Sequence, residues 1–214
     1  MTRGQIVFVV CLFGLLAPTA AQADPSRPAG QDRLSPFMRI YGPTLPPFGF
    51  VKFCERQPAE CRQGPLDEDR FEATGARFHE MTEINRAVNR AVEPATDVEV
   101  YGITEYWTLP GTKGDCEDYA LLKRHQMMAR GWPASSLLMT VVRDEKGEGH
   151  AVLTVRTAQG DFILDNKTDE IRAWQKVPYA FVMRQSYIDP KVWVSLDARD
   201  ARSPALLSGV RSAR

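Results

Sequence analysis

Between Asp67 and Val92 the apolar residues Phe71, Phe78, Met81, Ile84, Val88 and Val92 stand three, four or seven apart, the stripe of an amphipathic helix. Asp67 is placed to cap it, Glu68 and Asp69 favour its positive end, and Pro94 stops it. A second helix is predicted from Cys116 to Arg130, with Asp115 as its cap and Gly131 and Pro133 at its end. Its apolar residues are Ala120, Leu121, Leu122, Met127 and Met128. After this helix the period changes. LLMTVVRD (137–144), HAVLTVRT (150–157) and DFILDN (161–166) are β-rich runs divided by EKGEG and AQG, so they predict an antiparallel meander, and KVWVSL (191–196) a further strand. GPTLPPFGF at 42–50 is too rich in proline and glycine for a helix or a central strand and reads as an extended, packed loop. Helices first and strands afterwards predict an α+β fold with helices on one face of an antiparallel sheet.

The chain has 214 residues, enough for one well-buried domain. Residues 1–23 read as a secretory signal, with Arg3 near the start, an apolar run from Ile6 to Ala17, and APTAAQA placed for cleavage after Ala23. That run is well short of the roughly 20 residues that span a bilayer, so the mature chain is expected to be exported, periplasmic or secreted, without insertion in a membrane. Residues 24–34 and 198–214 read as flexible tails, which leaves 35–197 as the folded domain. Basic and acidic residues balance at 27 each, which gives no footprint for nucleic acid and no polybasic surface for lipid.

Export changes the meaning of the cysteines. Cys11 leaves with the signal, so Cys54, Cys61 and Cys116 remain, an odd number in an oxidising compartment. Cys54 and Cys61 are close enough to close a small loop; the other reading is two free thiols. Cys116 is then left over, either as a working thiol or as an inert buried one.

A nucleophilic thiol needs a base within hydrogen-bond reach and a third group that orients the base. Of three histidines, His79 lies beside an apolar stripe and reads as a solvated helix residue, while His125 is nine residues from Cys116 on one helix, about 13 Å along its axis. His150, at the head of a strand, is the candidate base. Asp165 in the next strand can orient it if Ala158 and Gln159 form a two-residue turn, because Val152 then faces Asp165 and His150 lies diagonal on the same sheet face. A turn shifted by one residue puts the two on opposite faces. The other reading of Asp165 and Asn166 is a turn-forming pair.

Cys116 stands among Asp115, Glu117 and Asp118, acids that raise the cost of a thiolate. A hard cation such as Ca²⁺ would neutralise them, although their spacing is not that of an EF-hand loop; a solvated acidic first turn is the other reading.

INRAVNRAV, YGITEYWTLP, GDCEDYALLK, GHAVLTV and FILDN, in that order, resemble the bacterial transglutaminase-like cysteine peptidases of the LapG type. The resemblance runs from about residue 80 to 168. It implies a papain-like or transglutaminase-like fold, with the nucleophile helix packed on an antiparallel sheet. Cys116 would be nucleophile, His150 general base and then acid, and Asp165 the group that orients the imidazole. It further implies calcium at Asp115 and Glu117, a protein substrate at the cell surface such as an adhesin, and a membrane receptor that sequesters the enzyme. YGPTLPPFGFVKFCERQPAEC departs from that pattern. Trp107 in YWTLP would add an indole N–H or a wall of the cleft. A transglutaminase or amidase using the same three residues, and a non-catalytic calcium-dependent binding module, are the alternatives.

Overall fold

The computed structural model describes residues 34–64 and 70–199. The signal at 1–23, most of both predicted tails and the predicted cap at Asp67 lie outside the described residues. In chain order the elements are β1 (Pro43–Thr44), α1 (Phe48–Arg56), α2 (Gly75–Ala91), β2 (Glu93–Pro94), α3 (Asp97–Tyr101), β3 (Lys113–Gly114) and α4 (Cys116–Ala129). Then follow β4 (Leu137–Arg143), β5 (Gly149–Thr157), β6 (Gly160–Leu164), β7 (Arg172–Ala173), β8 (Ala180–Gln185) and β9 (Trp193–Ser195).

Seven strands make one antiparallel sheet in the spatial order β1, β9, β8, β4, β5, β6, β7, and β2 pairs with β3 in parallel apart from it. The meander β4–β5–β6 is its centre, as the alternating runs predict. Both faces of β5 are covered, so it is buried from His150 to Thr157, with Ala151, Val152, Leu153 and Val155 as its apolar positions. Leu153 and Val155 point to one side and pack with Met139, Leu164 and the helices, including Met81, Ile84 and Val88 of α2 and Leu121 and Met127 of α4. Val152 points to the other side, where Val142, Ile163, Trp174 and Tyr179 form a second, smaller core. The fold is therefore α+β, with α4 laid against β5 and α2 against α4.

Among the elements that differ from expectation, three matter most to the packing. First, 42–50 is not simply an extended loop: Pro43–Thr44 pairs with β9 at the sheet edge, and α1 begins at Phe48 after Pro47 in the capping position, where a missing N–H costs nothing. Phe50 and Phe53 bury against Trp107 and Trp193, so packing overrides the poor local propensity. Second, the first long helix begins at Gly75 with the Thr74 hydroxyl accepting the Arg77 N–H, and Phe71 instead forms an isolated bridge to Thr157. Third, β8 went unpredicted; it borders β4 with a bulge between Val141 and Val142.

Cys54 and Cys61 form a disulfide that ties α1 to a short 3-10 turn. Glu60 inside that loop accepts from α4, its carbonyl from Arg124 at 2.8 Å, while its carboxylate meets His125 at 2.7 Å. His125 is thus a clamp on the outer side of α4.

Candidate active site

Cys116 is the first residue of α4, and the loop before it is folded back onto the first helical turn. That fold needs Gly114, because a Cβ there would lie 2.7 Å from the Asp118 carboxylate. Asp118 in turn accepts the Thr108 N–H at 2.9 Å and anchors residues 107–114. Asp115 occupies the cap position but makes no side-chain capping bond, so its carboxylate is left for another partner.

The hairpin that carries the other two candidates has the register on which their meeting depends. Thr157 pairs with Gly160 and Leu153 with Leu164 across the turn Ala158–Gln159. One further step sets Asp165 opposite Val152, with His150 diagonal to it. His150 Nε2 lies 2.9 Å from Asp165 Oδ1, and both side chains are almost wholly buried. Asp165 Oδ2 accepts the Tyr179 hydroxyl at 2.5 Å, and Oδ1 also accepts the Lys167 N–H at 3.0 Å. Burial works against the Asp165 carboxylate, yet the bonds from His150, Tyr179 and Lys167 hold it below the ordinary carboxylate range. With Nε2 taken by Asp165, the free ring nitrogen of His150 is Nδ1.

The thiol and the imidazole open on one cleft of about 320 Å³, walled by Leu45, Pro46, Pro47, Trp107, Val141 and Met183. The N–H of Ala151, the residue after His150, donates to Cys116 Sγ at 3.3 Å. The thiol donates to Glu117 Oε2 at 3.1 Å. Burial first, then the Glu117 carboxylate, push the thiol pKa well up, so in this arrangement Cys116 keeps its proton. Trp107 is buried, and its indole N–H is bonded to Glu105 at 3.0 Å, so it serves as cleft wall rather than as a free donor. Gly49 is what lets α1 reach it. His79 is exposed beside Glu83, away from the cleft.

Asp115 and Glu117 meet a third acid that no local pattern in the chain marks. Asp97, at the start of α3, places a carboxylate oxygen so that one oxygen from each of the three lies within 4.8 Å of the others. Asp97 Oδ2 accepts the Tyr106 N–H, while Asp97 Oδ1 and Asp115 Oδ1 are buried without a hydrogen-bond partner among the described residues. Burial, then the charge of Asp115, push Glu117 up to about 8, and burial pushes Asp118 to about 8 as well. Carboxylates so placed suit a hard cation, since ligand oxygens at about 2.4 Å from an ion stand no more than about 4.8 Å apart. Two polar groups thus meet at the cleft, His150 with Asp165 and Tyr179 on one side and Cys116 with Glu117, Asp115 and Asp97 on the other, joined by the Ala151 N–H on Cys116 Sγ.

A family model described as bacterial transglutaminase-like cysteine proteinase matches residues 40–201, well over half of the chain. No curated protein matches it. Similar solved structures include calcium-bound LapG of Legionella pneumophila, 19% identical over 68% of this chain and 77% of that one, with a TM-score of 0.47. LapG of the same organism aligns over 58% of this chain and 75% of that one at 24% identity and a TM-score of 0.46. For EGTA-treated LapG the figures are 50%, 62%, 24% and 0.44, so the chain spans less than two thirds of that structure.

Proposed function

The chain belongs to the bacterial transglutaminase-like cysteine proteinases, and from that premise we propose that Cys116 is the nucleophile of a cysteine peptidase, His150 its base and Asp165 the orienting acid. The observation that carries the assignment is the His150–Asp165 hydrogen bond of 2.9 Å beside a strand N–H that touches Cys116 Sγ at 3.3 Å. In the reaction, Cys116 gives its proton to His150 and attacks an amide carbonyl. His150 then protonates the leaving amine, and water releases the acyl group from the thioester. N–H groups at the start of α4 are aimed where the oxyanion forms. Asp165 keeps the imidazole in the tautomer with its proton on Nε2, and Tyr179 holds Asp165 still.

The folded catalytic unit is residues 35–197. Its substrate is a protein, and the LapG-like motifs together with the signal-like residues 1–23 favour a periplasmic enzyme acting on a surface adhesin, with a membrane receptor as regulator. No helix among the described residues is long and apolar enough to cross a membrane. Asp97, Asp115 and Glu117 are the residues that would hold Ca²⁺, and the unpartnered buried oxygens of Asp97 and Asp115 fit it. Bound there, the ion supplies countercharge to carboxylates that otherwise favour a protonated thiol.

The test compares the termini of surface and secreted proteins in cells carrying the wild-type chain or Cys116→Ala. A new terminus that disappears in the variant supports a peptidase. New isopeptide crosslinks in place of a new terminus would reassign the same three residues to transglutaminase chemistry. Partner binding that survives Cys116→Ala with no covalent change would make the chain a binding module.

A further inference from the structure

Lys123 lies two helical turns after Cys116 on α4, on the same helix face, with no accessible surface at all. Its ammonium cannot snorkel to water, and Nζ makes no hydrogen bond among the described residues. A buried amine with three donors and no acceptor is costly, so its surroundings have to supply acceptors.

Its side of α4 faces the neighbouring helix: Nζ stands 5.9 Å from the ring of Tyr119, one turn earlier, whose hydroxyl donates to the Val92 carbonyl at the end of α2. Asn85 and Asn89 are one turn apart on α2, which packs against α4. Both spend their amide N–H groups on the segment that follows β6. Asn85 donates to the carbonyls of Thr168 and Asp169 at 3.2 and 3.1 Å. Asn89 donates to the carbonyls of Asp165 and Thr168 at 3.0 and 3.1 Å and to the Asp169 carboxylate at 3.0 Å. The Oδ1 atoms of both asparagines are left buried without a partner. The two helices that pack together thus bury two acceptors without a donor and one cation with three protons to give and no acceptor, among the described residues. Burial pulls the Lys123 amine down to about 7, and the acids that favour its charged form are Asp165 and Asp169, on that same segment.

We propose that Lys123 is a positioning residue for the reaction, its buried charge attracting the unpartnered oxygens of α2 and the acids after β6 and so holding the nucleophile helix against the segment that carries Asp165. The inference rests on the assignment of Cys116, His150 and Asp165 given above. Two links of this chain are hydrogen bonds, Asn89 to the Asp165 carbonyl and the Asp165 carboxylate to His150, and the link from Lys123 is the attraction of its charge. Packing alone does not call for a lysine here, because methionine fills similar space without a buried charge.

The experiment uses the full chain and its Lys123→Met and His150→Ala variants, with iodoacetamide as probe of Cys116 and thermal unfolding as probe of the fold. Lys123→Met is expected to keep or raise the unfolding midpoint while labelling slows on the order of tenfold, since a small misplacement of a catalytic group has effects of this size or larger. The downfield proton resonance of the His150 ring N–H bonded to Asp165 is expected to broaden in the same variant. Labelling of Lys123→Met at the wild-type rate, with His150→Ala slowed, overturns the role of Lys123 and leaves the triad standing. Equal rates in all three proteins overturn the triad itself. Slowed labelling with a lowered midpoint and an unchanged resonance assigns Lys123 to packing and overturns the proposal. If Lys123→Met does not fold, Lys123→Gln decides: its amide donors are expected to keep the rate within about threefold, and a loss equal to that of His150→Ala overturns the inference.

Discussion

Glu117→Gln tests the electrostatics of the site most directly. In the fold Glu117 loses its proton at about 8, against an ordinary 4.5, because it is buried and faces Asp115. A carboxyl whose folded pKa is raised binds its proton more tightly folded than unfolded. Its contribution is therefore fully favourable below the unfolded value near 4.5 and is lost progressively as pH rises through about 8. At 1.36 kcal/mol per pKa unit the gap corresponds to a loss of roughly 5 kcal/mol, which is shared with Asp115 because the two acids titrate together and leaves several kcal/mol to Glu117. Glutamine keeps the shape and removes the charge. In EGTA, urea unfolding followed by tryptophan fluorescence should find the two proteins similar near pH 4.5 and the variant more stable by several kcal/mol at pH 8. Ca²⁺ at pH 8 should restore the wild type and help the variant far less. Parallel stability curves for the two proteins across this range would refute the reasoning, since a carboxyl that titrates normally leaves nothing for glutamine to relieve.

Gly49→Ala would place a Cβ 2.4 Å from Trp107 Cδ1 and 2.7 Å from its Nε1, so α1 or the cleft wall has to move. We expect a loss of about 1–3 kcal/mol in thermal unfolding with a changed near-ultraviolet tryptophan signal; an unchanged midpoint would mean that α1 does not brace the cleft. Tyr179→Phe removes the 2.5 Å donor to Asp165, so the depressed carboxyl rises and the acid limb of the pH profile for Cys116 labelling should move to higher pH. An unmoved acid limb would show that Tyr179 packs without holding the carboxylate.

The parts of this fold that could be read from the chain are those governed by near neighbours. The helix start at Cys116 follows from the acids around it and from its Gly131 stop, while the short AQG turn narrows the His150–Asp165 register to two choices, of which the fold has the one with Ala158 and Gln159 in the turn. What escaped depends on distant residues. Helix α1 exists because Phe50 and Phe53 find Trp107 and Trp193, contacts that no local propensity encodes. The apolar stripe starts at Phe71, one segment before the helix, because Phe71 is apolar for the sake of Trp132, against which its ring lies at 4.7 Å, and not as part of the helix. Asp97 reads as an ordinary residue after the capping Thr96, and only the packing of α3 brings it to Asp115 and Glu117. Tyr179 is likewise delivered to Asp165 from beyond β7, without any pattern that marks it.

The turn Ala158–Gln159 sits at the far end of its hairpin from the cleft, yet it sets the parity of every residue between them. Side chains in a ladder alternate in direction, so an odd insertion there would turn the Asp165 carboxylate away from His150 while leaving each strand intact. A loop that touches no substrate thus acts as a counting device, and homologous chains should be freer to vary its letters than its length.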